Sequence, residues 1–237
     1  RATGQHIGMS SDRPPCTNQP SPANGVPGTR KGDQRREAEG LKVIDYEESK
    51  FTDHITASWV AEQLGKKSDK PFLLACGFYR PHVPFFPPRR VYDSFKEVKL
   101  PEVLEDDWDD IPDAARKVSM SNPKIPVHDW MKQKNRWQLA VHAYLASIRW
   151  TDEQIGRVLD ALDQGPYAKN TIVILFSDHG YHLGEKQRWS KFSLWERTTR
   201  VPLIIRMPNG IQGSTGQPVE LLSIYPTLID LCGLTRS

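Results

Sequence analysis

Three short segments of the chain are apolar almost without interruption: 72–78, 171–176 and 201–205. Runs of this length and character are typical of strands that are buried on both faces of a sheet. Between the first two lies segment 135–163, whose apolar side chains recur at helical spacing and would cover one helix face. Strands separated by amphipathic helices predict an α/β fold, a sandwich with a largely parallel sheet between helices.

The remaining segments define the predicted domain boundaries. Residues 1–40 are rich in proline, glycine and serine, and we expect them to be extended or disordered. One folded domain is expected over 41–237, interrupted by an irregular acidic excursion at 99–126. The folded part begins with a helix that Asp53 is predicted to cap. It ends with a helix at about 224–231.

Composition excludes several classes of protein. The 32 basic and 29 acidic residues give a formal net charge of +3, which is too balanced for a nucleic-acid partner. No apolar run is long enough to span a membrane. The 3 cysteines are far apart, so they predict neither a zinc site nor a disulfide framework. Because the chain opens with Arg1, we expect a processed or internal piece, and the compartment is not indicated.

The tripeptide Asp178-His179-Gly180 directly follows the second predicted strand. Ligands of open α/β sheets gather just beyond the carboxyl ends of the strands. Asp178 offers an anionic oxygen and His179 an imidazole nitrogen, while Gly180 lets the backbone approach a ligand closely. A metal site and a simple aspartate helix cap both remain open on these residues alone.

Two loops add candidate binding groups. Segment 181–193 is rich in histidine, lysine, arginine and tryptophan, which suits an anionic substrate. Segment 80–85 leaves the first predicted strand in a similar way and holds His82 between prolines that stiffen the backbone. The alternative for His82 is a loop histidine without a specific role.

Five motifs follow one another in a fixed order along the chain: PFLLACGFYRPHVPF, GRVLDALD, TIVILFSDHGYHLGE, WSKFSLWERTTRVPLII and LLSIYPTLIDLCGL. Together they resemble the sulfatase family of the alkaline-phosphatase-like superfamily, and are most similar to the iduronate-2-sulfatase-like branch. The resemblance covers about residues 41–235 and implies an alkaline-phosphatase-like sandwich that is incomplete at both ends.

The resemblance also implies roles for particular residues. Asp178 and His179 match the pair that binds a divalent cation, usually calcium. Lys191 matches the lysine that binds the sulfate and protonates the leaving oxygen, and His82 matches the histidine that contacts the sulfate ester. We also expect His182, in the same loop as Lys191, to bind substrate. Because calcium prefers oxygen ligands, the histidine leaves manganese and zinc open.

One element of the family pattern is missing from this sequence. Sulfatases make a formylglycine nucleophile from a C/S-x-P-x-R motif, and Cys16 lacks the required proline and arginine. We therefore expect a piece truncated at both ends that does not turn over alone, from a parent that hydrolyses a sulfated sugar or small sulfate ester. By resemblance only, that parent is periplasmic, secreted or lysosomal. A phosphoesterase of the same superfamily and a non-catalytic sulfate- or carbohydrate-binding remnant stay open, and the sequence does not indicate the oligomeric state.

Overall fold

The computed structural model describes residues 47–121, 128–208, 210 and 212–235, so the predicted N-terminal segment 1–40 lies outside it. Its helices in chain order are α1 (Thr52–Gly65), α2 (Arg89–Asp93), α3 (Asp113–Ser119), α4 (His128–Gln133), α5 (Trp137–Asp163), α6 (Glu196–Thr199) and α7 (Ile224–Leu231). Its strands are β1 (Val173–Phe176), β2 (His182–Leu183), β3 (Trp189–Ser190) and β4 (Leu203–Arg206). The predicted long helix and the predicted final helix are both present.

The strand pairs of the described residues are antiparallel, not parallel as the apolar pattern predicts. β1 pairs with β4, placing Phe176 opposite Leu203 and Val173 opposite Arg206. β2 pairs with β3 in a small separate hairpin. A parallel return needs a crossover that is usually a helix lying on the sheet. Between β1 and β4 the structure describes only a 3-10 turn, Glu185–Gln187, and the short α6, and the chain comes back in the opposite direction.

The first predicted strand, 72–78, forms no strand in the structure. Burial there alternates: Leu74 and Cys76 pack against a cluster of buried side chains from α1 and α5, whereas Leu73 is 60% exposed. The prediction of a strand buried on both faces is therefore wrong for this segment. Only one side is covered, because α1 and α5 both lie on that side.

Helix α5 connects the buried regions of the molecule. Its first turns pack on α4 and on the β2–β3 hairpin. Its middle packs on the loop at 80–88 and on α2, and its last turns pack on α1. The buried face carries small residues where neighbours approach closely, including Ala140, Ala143 and Ala146. Close approach strengthens dispersion contacts and removes apolar surface from water. The helix thus holds the site-bearing loops on one scaffold.

None of the described helices combines the length and the apolar character needed to cross a lipid bilayer.

Candidate active site

Lys191 and His82 lie in direct contact although they are 109 positions apart in the sequence. The Nζ atom of Lys191 is 3.0 Å from Nε2 of His82. Lys191 directly follows β3, whose Trp189 is 2% exposed and anchors the hairpin in the core. His82 lies in a turn closed by a 3.0 Å hydrogen bond from its backbone N–H to the carbonyl of Tyr79. Two rigid supports therefore bring these side chains together.

The hydrogen bonds of His82 determine which ring nitrogen carries the proton. Nδ1 lies 2.7 Å from the carbonyl oxygen of Val83, which can only accept, so Nδ1 is the donor. Burial lowers the pKa of His82, and the nearby positive charge of Lys191 lowers it further. The neutral ring then offers the Nε2 lone pair to the Lys191 ammonium. His82 orients Lys191 by accepting one of its three N–H bonds.

The turn after β1 places His179 beside His82, with the two ring centroids 6.5 Å apart. Nδ1 of His179 donates to the carbonyl of Gly180 at 2.9 Å, so Nε2 keeps its lone pair. Gly180 is required here for steric reasons: a Cβ at this position would lie 2.1 Å from the carbonyl oxygen of Arg197. The Gly180 N–H also donates to the carbonyl of Thr198 at 2.9 Å, which fixes the turn against α6.

Asp178 and His179 have the chemistry of a cation-binding pair. The Asp178 side chain is 82% exposed, and its Oδ2 is 3.6 Å from Nε2 of His179. A histidine that gives its other N–H to a backbone carbonyl is a common arrangement in metal sites. Among the residues described, no third histidine, cysteine or carboxylate completes a cluster with them. The pair fits a divalent cation and supplies only part of a ligand shell.

The structure places His182 in the interior, away from the exposed rim. Its side chain is 0% exposed within β2, and Nε2 lies 3.0 Å from Oγ of Ser193. The imidazole therefore has no surface with which to contact a substrate directly in this arrangement. The sequence predicted that His182 contacts substrate because the loop around it is polar. In the structure, the short β2–β3 pairing turns this side chain inward.

Sequence reasoning missed the ion pair that supports His82. Asp53 lies inside the first turn of α1 and makes no cap, contrary to the prediction. Its Oδ2 binds Nη1 of Arg80 at 2.8 Å, and its Oδ1 accepts from the Tyr79 N–H at 2.7 Å. Both charged side chains are nearly fully buried, at 1% and 2% exposure. The signal in the sequence was a carboxylate next to the apolar face of α1, with an arginine beside His82.

The acidic excursion packs against the loop that carries Lys191. Asp107 accepts from Nζ of Lys186 at 2.6 Å, and the indole N–H of Trp108 donates to the Lys186 carbonyl at 3.1 Å. Trp108 is only 8% exposed, so the excursion is part of the packed structure. The carboxylate of Asp107 is used in this ion pair, which favours a supporting role for the excursion.

These positions can be compared with those of known proteins. Residues 4–234 match the model of the family described as Sulfatase. The chain is 41% identical over 213 residues to a sulfatase of Formosa agariphila, covering 89% of this chain and 42% of that protein. It is 32% identical over 209 residues to the iduronate 2-sulfatase of Mus musculus, covering 71% of this chain and 37% of that protein. The chain thus spans about two fifths of these curated relatives.

A solved structure shows a similar fold. The phosphonate monoester hydrolase of Silicibacter pomeroyi superposes with a TM-score of 0.69 over 82% of this chain and 40% of that chain, at 21% identity. At this identity the likeness concerns the fold alone, which is that of the alkaline-phosphatase-like proteins. Since the family model matches nearly the whole sequence, the chain belongs to the sulfatase family.

Proposed function

We propose that the complete protein hydrolyses sulfate monoesters, on a sugar or a glycosaminoglycan-type polysaccharide. The observation that carries this proposal is the position of the Lys191–His82 pair beside the Asp178–His179 turn, 3.0 Å apart within the pair and 6.5 Å between the two histidine rings. Family membership supports sulfate as the leaving acid, and the iduronate 2-sulfatase relative supports a sugar.

The charges of the site suit a sulfate ester. The oxygens of the ester repel a nucleophile, and negative charge grows on the leaving oxygen as the S–O bond breaks. The Lys191 ammonium attracts the sulfate and donates a proton to that oxygen. The Nε2 lone pair of His82 accepts one N–H of the Lys191 ammonium. The other two N–H groups of the ammonium are left for the substrate. Asp178 and His179 would hold a divalent cation, which supplies further positive charge to the sulfate oxygens.

In this proposal the nucleophile lies outside these 237 residues. The sequence has no C/S-x-P-x-R motif, so we infer that another part of the complete protein supplies the formylglycine. Calcium is the cation that the family implies, although the histidine ligand also suits manganese or zinc.

A larger sheet is part of the same proposal. The two-stranded β1–β4 sheet leaves Phe176 49% exposed and Ile204 57% exposed. Isolated two-stranded sheets are marginally stable in water. We therefore infer that further strands complete a largely parallel, alkaline-phosphatase-like sheet in the complete protein.

The test is the substitution Lys191→Ala in the complete protein, assayed on an aryl sulfate and on a sugar sulfate. Because the ammonium acts on charge that develops in the transition state, we expect kcat to fall about a hundredfold or more. Lys169→Ala is the matched control, since that lysine is exposed in the loop after α5 and lies outside the site. Equal kcat values for the Lys191 and Lys169 variants would contradict the assigned role.

A phosphoesterase is the second candidate, favoured by the fold that the chain shares with a phosphonate monoester hydrolase. The same preparation should be assayed with matched sulfate and phosphonate esters of one aryl alcohol. A larger kcat/KM for the sulfate ester is expected, and a larger value for the phosphonate ester would favour the second candidate.

A further inference from the structure

The turn that carries Lys191 has few apolar contacts to hold it in place. Beyond the buried Trp189, Phe192 is 51% exposed and Leu194 is 90% exposed, so hydrophobic burial contributes little to holding the turn itself. A lysine on a mobile turn would lose much of its value, because a catalytic cation acts only when it is held at the reacting atoms. Something polar must therefore fix the position of the turn.

A chain of side-chain hydrogen bonds runs beneath the turn. Nε2 of His182 is 3.0 Å from Oγ of Ser193, and that oxygen is 3.0 Å from Oγ1 of Thr198. Oγ1 of Thr198 also donates to the Ser193 carbonyl at 2.8 Å or the Trp195 carbonyl at 2.9 Å. The Ser193 N–H in turn donates to the Lys191 carbonyl at 2.6 Å.

Counting protons fixes the direction of this chain. The single hydroxyl proton of Thr198 goes to a backbone carbonyl, so Ser193 must be the donor in its contact with Thr198. That uses the only proton of the Ser193 hydroxyl, so His182 must donate from Nε2 to Ser193. Each hydroxyl is then both a donor and an acceptor, an arrangement that strengthens buried hydrogen bonds.

The same chain reaches the Asp178–Gly180 turn. The carbonyl of Thr198 accepts from the Gly180 N–H at 2.9 Å, so Thr198 contacts both turns of the site. We propose that His182, Ser193 and Thr198 are positioning residues, which hold Lys191 at a fixed place relative to the Asp178–His179 pair. The effect of these residues on the catalytic rate rests on the proposed sulfatase function, whereas their effect on the position of Lys191 does not.

The first experiment compares two replacements of His182 in the complete protein. The amide nitrogen of glutamine reaches the place of Nε2 and can donate to Ser193, whereas asparagine is too short. We expect His182→Gln to keep kcat within about threefold and His182→Asn to lower it about tenfold or more, with a smaller change in KM. A merely structural histidine would not separate the two amides in this way, so equal kcat values would overturn the proposal.

The second experiment uses neighbouring threonines of α6. Thr198→Val removes the hydroxyl that Ser193 binds, while Thr199→Val removes an exposed hydroxyl that donates to the Trp195 carbonyl at 3.3 Å. Crystal structures of both variants and of Ser193→Ala measure the distance from Nζ of Lys191 to Nε2 of His82. We expect it to lengthen beyond hydrogen-bonding range, or Lys191 to become disordered, in Thr198→Val and Ser193→Ala, but not in Thr199→Val.

This measurement separates the two proposals. If the complete protein cleaves no sulfate ester, the distance still reports whether the hydrogen-bonded chain places Lys191. A distance that stays at about 3 Å in both Thr198→Val and Ser193→Ala would overturn the positioning role, whatever the enzyme's activity. Melting temperatures of the variants, measured alongside, show which of them are folded.

Discussion

At the scale of single residues, the buried Asp53–Arg80 pair shows how the site depends on charges that lie outside it. Arg80 contacts Asp53 with one nitrogen and the Phe86 carbonyl with another, at 2.8 Å and 3.1 Å. Its own carbonyl accepts from the Thr151 hydroxyl on α5 at 2.9 Å. These contacts hold both sides of the His82 turn against α1 and α5, because a buried guanidinium cannot give up its partners without a large cost.

Replacing Asp53 by alanine should therefore destabilise the protein strongly. The variant leaves the Arg80 guanidinium buried without its counter-charge, which costs about 3–5 kcal/mol of unfolding free energy. Urea unfolding measures the loss. Asp163→Ala is the control, because its pair with Arg206 is 41% and 52% exposed and is worth at most about 1 kcal/mol. Similar losses in the two variants would contradict the supporting role of the buried pair.

His182 predicts a pH dependence of stability. Burial, together with the smaller effect of the nearby charge of Arg188, lowers its pKa from 6.5 to about 4. Below pH 6.5 the unfolded chain takes up a proton that the folded chain refuses until about pH 4. The free energy of unfolding should thus fall as the pH drops through this window, by about 3 kcal/mol for this group alone, and should not depend on His182 at higher pH.

The measurement is urea unfolding of wild type and His182→Gln at several pH values between 4 and 8, roughly spanning the titration of an ordinary and a buried histidine. Glutamine cannot titrate, so the variant should lose less stability than wild type on acidification. Parallel curves for the two proteins would show that His182 is not the group responsible.

At the scale of elements, the acidic excursion and the Lys191 loop stabilise each other. The hydroxyl of Ser119, at the end of α3, accepts from Arg188 at 3.1 Å and from the Trp195 indole at 2.8 Å. These two donors lie on either side of Lys191 in the sequence. The Arg188 guanidinium is 1% exposed and also donates to the Phe192 carbonyl at 2.8 Å. The Ser119 hydroxyl thus binds residues on both sides of the turn that carries Lys191.

We expect Ser119→Ala to loosen the loop without unfolding the molecule. The buried Arg188 and the half-buried Trp195 lose their acceptor, at a cost of about 1–3 kcal/mol, so backbone amides of 186–195 should exchange with deuterium about tenfold faster. Ser121→Ala is the matched control, because that hydroxyl is exposed and donates to the Val118 carbonyl, at 2.8 Å. Amides of α7 provide an internal reference, and faster exchange there as well would indicate general destabilisation.

At the scale of the whole molecule, the fold brings together four of the residues that the candidate active site needs. Lys191, His82, Asp178 and His179 come from three separate loops and converge, as the family motifs lead one to expect. Their catalytic and metal-binding roles stay predictions. The cation-binding pair provides few ligands, and the sequence holds no formylglycine motif.

Calcium binding should differ between this chain and the complete protein. Calcium takes about six to eight oxygen ligands, and Asp178 with His179 supplies too few to displace its water. Titration calorimetry of the 237-residue chain should show weak binding or none. The complete protein should bind more tightly, and Asp178→Asn in it should weaken that binding. Tight calcium binding by the 237-residue chain would mean that other residues contribute ligands.

The sequence alone indicated the mixed helix-and-sheet character, the position of the long helix α5 and four candidate site residues that come together in the structure. Helical spacing is a local property, and the segment 135–163 showed it over many turns. The ordered motifs gave His82, Asp178, His179 and Lys191, because each motif is local in sequence and specific in combination. These inferences required no knowledge of how distant segments pack.

Only the tertiary structure decided the direction of the strands, the burial of His182 and the role of Asp53. An apolar run shows that a segment is covered but not on which side or in which direction its partner runs. The strand predicted at 72–78 is therefore absent, and the antiparallel direction of the β1–β4 pair was not predicted. A polar residue in a loop is exposed or buried according to what folds over it. Asp53 looked like a helix cap because its partner Arg80 lies 27 positions away, and only the packed chain brings the two charges together.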